Sequence, residues 1–263
     1  LRSWSWDPLI LVGLVSVAAS YAYAFYYFRQ HGWLERLTRR GLIKTSHPWF
    51  FAAGLVTIFI ALQSPIDTLA DMLFLMHMVQ HILLMMIAPP LLLLGLPSPL
   101  LRWLILETRL RGVLNWLTNP LTAYTFLVGN YLIWHIPALY EAALRNPFVH
   151  DLEHALFFYT SLFYWWRVID PTQGWYPFWH WTPAKWIYLI IAAPPSYVLG
   201  SILSASRSVW YIYYTEVPRV WDISPLWDQR YGGMLMWLQG WMFLMASMAV
   251  FFIWYKPEQE LTE

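Results

Sequence analysis

Seven stretches of this chain stay apolar over about the 20 residues that a helix needs to cross a bilayer. They run from about Pro8 to Phe28, Pro48 to Gln63, Asp71 to Pro97, Leu121 to Leu144, Pro147 to Trp166, Pro183 to Leu203 and Arg230 to Tyr255. Two of them contain a proline pair, Pro89-Pro90 and Pro194-Pro195. Each pair is expected to bend or interrupt its helix, because proline has no N–H to donate and its ring collides with the preceding turn. Between Ser98 and Trp116 the pattern changes: Arg102, Glu107, Arg109 and Arg111 stand among leucines and tryptophans, as in a helix lying in the membrane interface. The prediction is an all-α integral membrane fold with seven transmembrane helices, two with Pro-Pro kinks, plus an interfacial helix. No repeat or linker divides it, so residues 1–263 are read as a single seven-helix transmembrane domain.

Composition supports the membrane class. Hydrophobic residues make up 59% of the chain and charged residues 12%, against about 25% charged in soluble domains. The lipid bilayer is therefore the first partner. A net charge of +1 excludes an extended nucleic-acid surface, which needs clustered Lys and Arg. With no cysteine, disulfides, thiolate metal sites and a cysteine nucleophile are excluded together, and a metal would have to be held by His, Met, carboxylate or backbone. No catalytic constellation stands beyond a candidate metal site, so an enzyme is not expected. The chain opens on Leu1 rather than Met, and an N-terminal piece is expected to precede it.

Charge in the short loops sets an orientation. Arg29, Arg36, Arg39, Arg40 and Lys44 follow the first span, Arg102, Arg109 and Arg111 the third, and Arg167 and Lys185 the fifth. The alternate loops hold Asp67 and Asp71, then Arg145 with Glu141 and Asp151, then a mixed segment with Arg207, Glu216, Arg219, Asp222 and Asp228. This places the N-terminus outside and the C-terminus in the cytoplasm of a multi-pass protein.

That orientation gathers histidines. His77 and His81 are i and i+4 in the third span, about 10–15 Å below its outer edge at 1.5 Å per residue, and their side chains share one helix face. His150 and His154 repeat the spacing at the start of the fifth span, with Glu153 expected on another face. His135 stands in the outer half of the fourth span. Buried imidazoles in hydrocarbon are costly without partners. The five are therefore candidate ligands of one ion or two adjacent ions, with a hydrogen-bonded structural cluster as the alternative. His31, His47 and His180 fall on the inner side.

Other residues could extend this site. All ten methionines lie in the third and seventh spans. Thioether sulfur selects Cu(I), although Met also fills cores; Met85, one turn beyond His81, and Met234 are the best placed. Asp228 could bond a ligating imidazole, pair with Arg230, or cap the last helix. Gly232 and Gly233 are expected to permit close helix approach. Trp165, Trp166, Trp175, Trp179, Trp181 and Trp186 read as an interfacial belt.

Five segments carry a family resemblance. They are His77-Met78-x-Gln80-His81 with Ala88-Pro89-Pro90 through Gly95-Leu96-Pro97; Trp134-His135-x-Pro137-x-x-Tyr140; His150-x-x-x-His154; Trp165-Trp166; and Asp228-Gln229-x-x-Gly232-Gly233-Met234-x-Met236-Trp237. In these the chain resembles the CtaG family of Gram-positive bacteria, seven-span proteins required to make caa-type cytochrome c oxidase and unrelated to a single-span copper chaperone sharing the name. The resemblance implies a bacterial cytoplasmic-membrane assembly factor that binds or delivers copper to the oxidase. The expected partners are cytochrome c oxidase subunits and a copper donor protein. Three other readings stay open: a b-type haem protein with axial histidines on facing helices, a di-iron oxygenase, which would want more carboxylates, and a structural subunit of a respiratory complex.

Overall fold

A computed structural model describes residues 4–106, 111–171 and 182–254. Glu107 and Arg109 of the interfacial stretch, His180, Trp175, Trp179, Trp181 and the Tyr255 end of the last span lie outside the described residues. Within them the chain is helical: α1 (Pro8–Gln30), α2 (Trp33–Arg39), α3 (His47–Gln63), α4 (Pro65–Ala70), α5 (Phe74–Ile82), α6 (Ala88–Gly95), α7 (Ser98–Leu106), α8 (Arg111–Leu117), α9 (Pro120–Trp134), α10 (Pro137–Arg145), α11 (Pro147–Ile169), α12 (Thr182–Ile191), α13 (Ala193–Ala205), α14 (Tyr213–Glu216) and α15 (Pro225–Trp254).

Among the described residues, four helical runs are long and apolar enough to cross a membrane: α1, α5 continuing into α6, α12 continuing into α13, and α15; α3 is apolar but shorter. Helix starts are written locally in the sequence. Asp7, Ser64, Asn119 and Asn146 each precede a proline, and each side chain accepts a backbone N–H from the new helix. A short polar side chain satisfies donors the first turn leaves orphaned, and the following proline has no N–H to satisfy.

Both proline pairs interrupt regular α-structure. Before Pro89-Pro90 the chain runs as a π-helix over Leu83–Ile87, and before Pro194-Pro195 a break at Ala192 separates α12 from α13. A third break went unanticipated. The expected continuous span from Leu121 to Leu144 is two helices, because His135 caps α9 and Ile136 is extended (φ −65°, ψ 123°) before Pro137 opens α10. The proline ring drives the residue before it out of the α region.

The main core lies among α5, α9, α11, α13 and α15, and includes Trp134, Tyr140, Phe157, Tyr164, Trp165, Trp166 and Phe243. Trp165 and Trp166 are therefore core residues rather than an interfacial belt, and the Trp165 indole donates to the Met85 carbonyl at 3.0 Å. Trp186 is exposed, as a belt residue should be. The glycine expectation holds at α13 against α15: a Cβ on Gly233 would lie 2.6 Å from Ser204 Oγ and 2.8 Å from the Gly200 carbonyl. Gly232 in turn admits the ring of Phe74, the first residue of the helix that carries two of the histidines.

A candidate metal centre

α5 and α11 bring four histidines and one carboxylate together. His77 and His81 project from α5; His150, Glu153 and His154 project from the first two turns of α11. Imidazole centroids are separated by 4.3 Å for His77 and His81, 4.2 Å for His150 and His154, 5.4 Å for His77 and His150, and 5.5 Å for His81 and His154. Donor atoms of His77, His81 and His154 all lie within 4.8 Å of one another, as do those of His77, His150 and Glu153. Tetrahedral donors with bonds of about 2.0–2.1 Å stand about 3.4 Å apart, so closure by up to about 1.4 Å would bring three of them onto one ion.

Glu153 is the residue that sequence reasoning turned the wrong way. Its side chain is buried, with one carboxylate oxygen 3.8 Å from His77 Nε2 and the other 3.8 Å from His81 Nε2. At about 100° per residue, position i+3 from His150 falls only about 60° round the helix, on the half that faces α5. The spacing His150-x-x-Glu153-His154 held that signal.

Hydrogen bonding separates this cluster from an ordinary polar core. Both ring nitrogens of His77 and of His81, both oxygens of Glu153, and Nε2 of His150 and of His154 are buried without a hydrogen-bond partner among the described residues. Buried polar atoms are almost always satisfied, and a set of orphans converging on one point fits a cation. His47 shows the contrast, since its Nδ1 accepts from the Lys44 N–H at 3.0 Å. His31 likewise bonds the Tyr27 carbonyl at 2.9 Å.

His135 belongs beside the cluster rather than in either donor group. Its Nδ1 lies 2.7 Å from the Tyr131 carbonyl. A carbonyl can only accept, so Nδ1 carries the proton and Nε2 presents a lone pair, buried and unpartnered among the described residues. Its nearest rings are Tyr131 at 4.7 Å, Tyr140 at 6.2 Å and Phe157 at 6.4 Å. An aromatic roof of Phe74, Tyr140, Tyr211 and Tyr214 closes this end, tied by Tyr140–Tyr214 at 3.1 Å and by the Tyr211 hydroxyl donating to the His135 carbonyl at 3.1 Å.

Three expected contributors sit elsewhere. Met85 is buried, but its sulfur is approached by Gln239 Nε2 at 3.9 Å. It lies in the π-helical turn, whose wider winding takes residue 85 off the His77/His81 line. Met234 is 45% exposed on the surface of α15. Among the described residues Asp228 bonds neither an imidazole nor Arg230, and caps α5 instead of its own helix. Its two oxygens accept from the N–H groups of Phe74 and Leu75 at 2.9 and 3.0 Å, with Arg219 at 3.5 Å. Arg230 bonds the Ser206 carbonyl.

The family model described as cytochrome c oxidase caa3 assembly factor (Caa3_CtaG) matches residues 20–257. The chain belongs to this family. The match takes in all five histidines and Glu153. Among curated proteins, the chain is similar to uncharacterized proteins of Mycobacterium bovis and Mycobacterium tuberculosis, each 27% identical over 256 residues. A third, from Mycobacterium leprae, is 24% identical over 260 residues. The alignments cover 90%, 90% and 89% of this chain but only 37%, 37% and 36% of those proteins, so the chain spans little more than a third of their length. No solved structure matches it.

Proposed function

We propose that the chain is a seven-pass membrane assembly factor for a caa3-type cytochrome c oxidase, and that it binds copper at the α5–α11 cluster to supply or hold it for the oxidase. The observation that carries the metal reading is the convergence of orphaned donors from two helices on one buried point. His77, His81 and His154 form the core of the site, Glu153 and His150 complete it around the shared His77, and His135 is poised at its edge. The donor set is imidazole and carboxylate without thioether. Imidazole suits copper but also zinc, iron and nickel, and copper is preferred because the family serves a haem–copper oxidase. Haem is disfavoured by packing, since a macrocycle between His77 and His154 would need the space beside them that His81 fills, 4.3 Å from His77 and 5.5 Å from His154, with Glu153 set against both His77 and His81.

In this reading α1, α3, α5–α6, α9 with α10, α11, α12–α13 and α15 each cross the membrane, with the N-terminus outside. The polar load that α11 carries as His150, Glu153 and His154 explains its weaker hydropathy. Oxidase subunits and a copper donor are the partners. Element analysis of folded protein purified from copper-replete cells should find copper in the parent and in His31→Ala. His77→Ala, His81→Ala and His154→Ala should each lose most of it and leave the oxidase copper-deficient. Full copper in folded His77→Ala and His154→Ala, or none in the parent, overturns the reading.

A further inference from the structure

A cavity of about 320 Å³ opens beside the histidine cluster where α1 and α11 begin. Asp7, Asp67 and Asp151 line it, and His150 and His154 form its deep end. His154 is 93% buried by its 7% exposure, and its Nε2 has no hydrogen-bond partner among the described residues. The aspartates come from three separate places: Asp7 caps α1, Asp67 lies in α4, and Asp151 is exposed on α11 next to His150. The segment before α1 is fastened here, for the Ser5 N–H donates to the Gln63 carbonyl at 2.9 Å and the Ser5 hydroxyl to Asp67. The other Asp67 oxygen accepts from Gln80 at 2.8 Å, and Gln80 stands between His77 and His81 on α5. The named lining residues include no Lys or Arg to cancel the three carboxylates.

We infer that this acidic vestibule is the access route by which a hydrated soft cation reaches the histidine cluster. The inference rests on the metal reading of that cluster and adds to it a direction and a kinetic role. A recess lined by one sign of charge and walled by protein concentrates counter-ions and raises association rates by about 10- to 1000-fold. Because two of the carboxylates are exposed, that gain is screened by salt beyond a Debye length of about 10 Å at 0.1 M. Asp7 and Asp151 attract the ion, His150 meets it first, and His154 passes it to His77 and His81. Asp67 does less of the attracting, since both its oxygens are already hydrogen-bonded.

The test compares the parent with the double variant Asp7→Asn/Asp151→Asn in the full chain, using Ag(I) as nitrate for a redox-inert soft cation. Asparagine at position 7 keeps an oxygen to cap α1, so folding is preserved, and Asp67 is left in place. The association rate, followed by stopped-flow tryptophan fluorescence, should fall about tenfold in the double variant at low ionic strength. The gap should close at high ionic strength, while both proteins reach the same final stoichiometry. Equal rates at low salt with full stoichiometry in both proteins overturn the vestibule and leave the histidine site standing. Lost stoichiometry in the variant alone makes the aspartates ligands and overturns the steering role. No Ag(I) bound by the parent overturns the underlying site as well.

Discussion

Asp228 and Phe74 are 154 positions apart, yet the carboxylate of the first caps the helix begun by the second. Leu73, the residue in the N-cap position of α5, makes no side-chain cap bond, so its first N–H groups depend on this distant partner. Asp228→Ala would leave the N–H groups of Phe74 and Leu75 buried and unmatched. The expected loss is about 1–3 kcal/mol for such orphaned groups, read as a lower unfolding temperature in detergent. Metal content should fall too, because the freed turn precedes His77, whereas Asp228→Asn keeps one acceptor and should lose less. At this scale the pairing within the candidate site was legible, because i, i+4 spacing alone sets His77 beside His81 and His150 beside His154. Glu153 was legible in principle through its i+3 position. The cap was not, since nothing local in the sequence says which helix a carboxylate at position 228 will meet.

Among the helices, backbone rules written in the sequence were the most readable feature. Cap-then-proline starts at Asp7, Ser64, Asn119 and Asn146 announce four helices, and the two proline pairs announce two breaks. The break at His135-Ile136 was readable from Pro137 but was hidden by unbroken hydrophobicity across it. The π-turn over Leu83–Ile87 was not readable, and it is what moves Met85 away from the histidine line toward Gln239. The seam between α13 and α15 offers a direct test of packing at this scale. A methyl at Gly233 would meet Ser204 and the Gly200 carbonyl at 2.6–2.8 Å, while one at Gly13 on α1 would meet nothing within 4 Å. Gly233→Ala should therefore cost about 1–3 kcal/mol, the usual range for overpacking a closed interface. Gly13→Ala should be neutral or slightly stabilising through helix propensity. Equal unfolding temperatures for the two variants would contradict the close approach of these helices.

Across the whole molecule, hydropathy identifies a membrane protein and marks four runs among the described residues as long and apolar enough to cross, and the weaker signal of the other helices has a chemical reason. The helices around the histidine cluster carry its polar side chains: α11 holds His150, Glu153 and His154, and α9 stops at 15 residues where His135 turns out of the helix. The cluster thus weakens the hydrophobic signal of the very segments that hold it. Seven passes follow if α3, α9 with α10, and α11 cross beside the four long apolar runs, and the basic loops then fall on one side. The decisive loop is the one holding Arg29, Arg36, Arg39, Arg40 and Lys44, whose centre is the exposed helix α2. Thr38 is exposed there, and the chain has no cysteine of its own, so Thr38→Cys creates a single reporter without removing any native thiol. In intact cells this cysteine should resist an impermeant thiol reagent and react fully once the membrane is permeabilised. Asp151→Cys, at the mouth of the acidic cavity, should react in intact cells. Reaction at position 38 without permeabilisation would turn the molecule over, put the cavity on the cytoplasmic side, and make any ion it gathers one drawn from the cytoplasm.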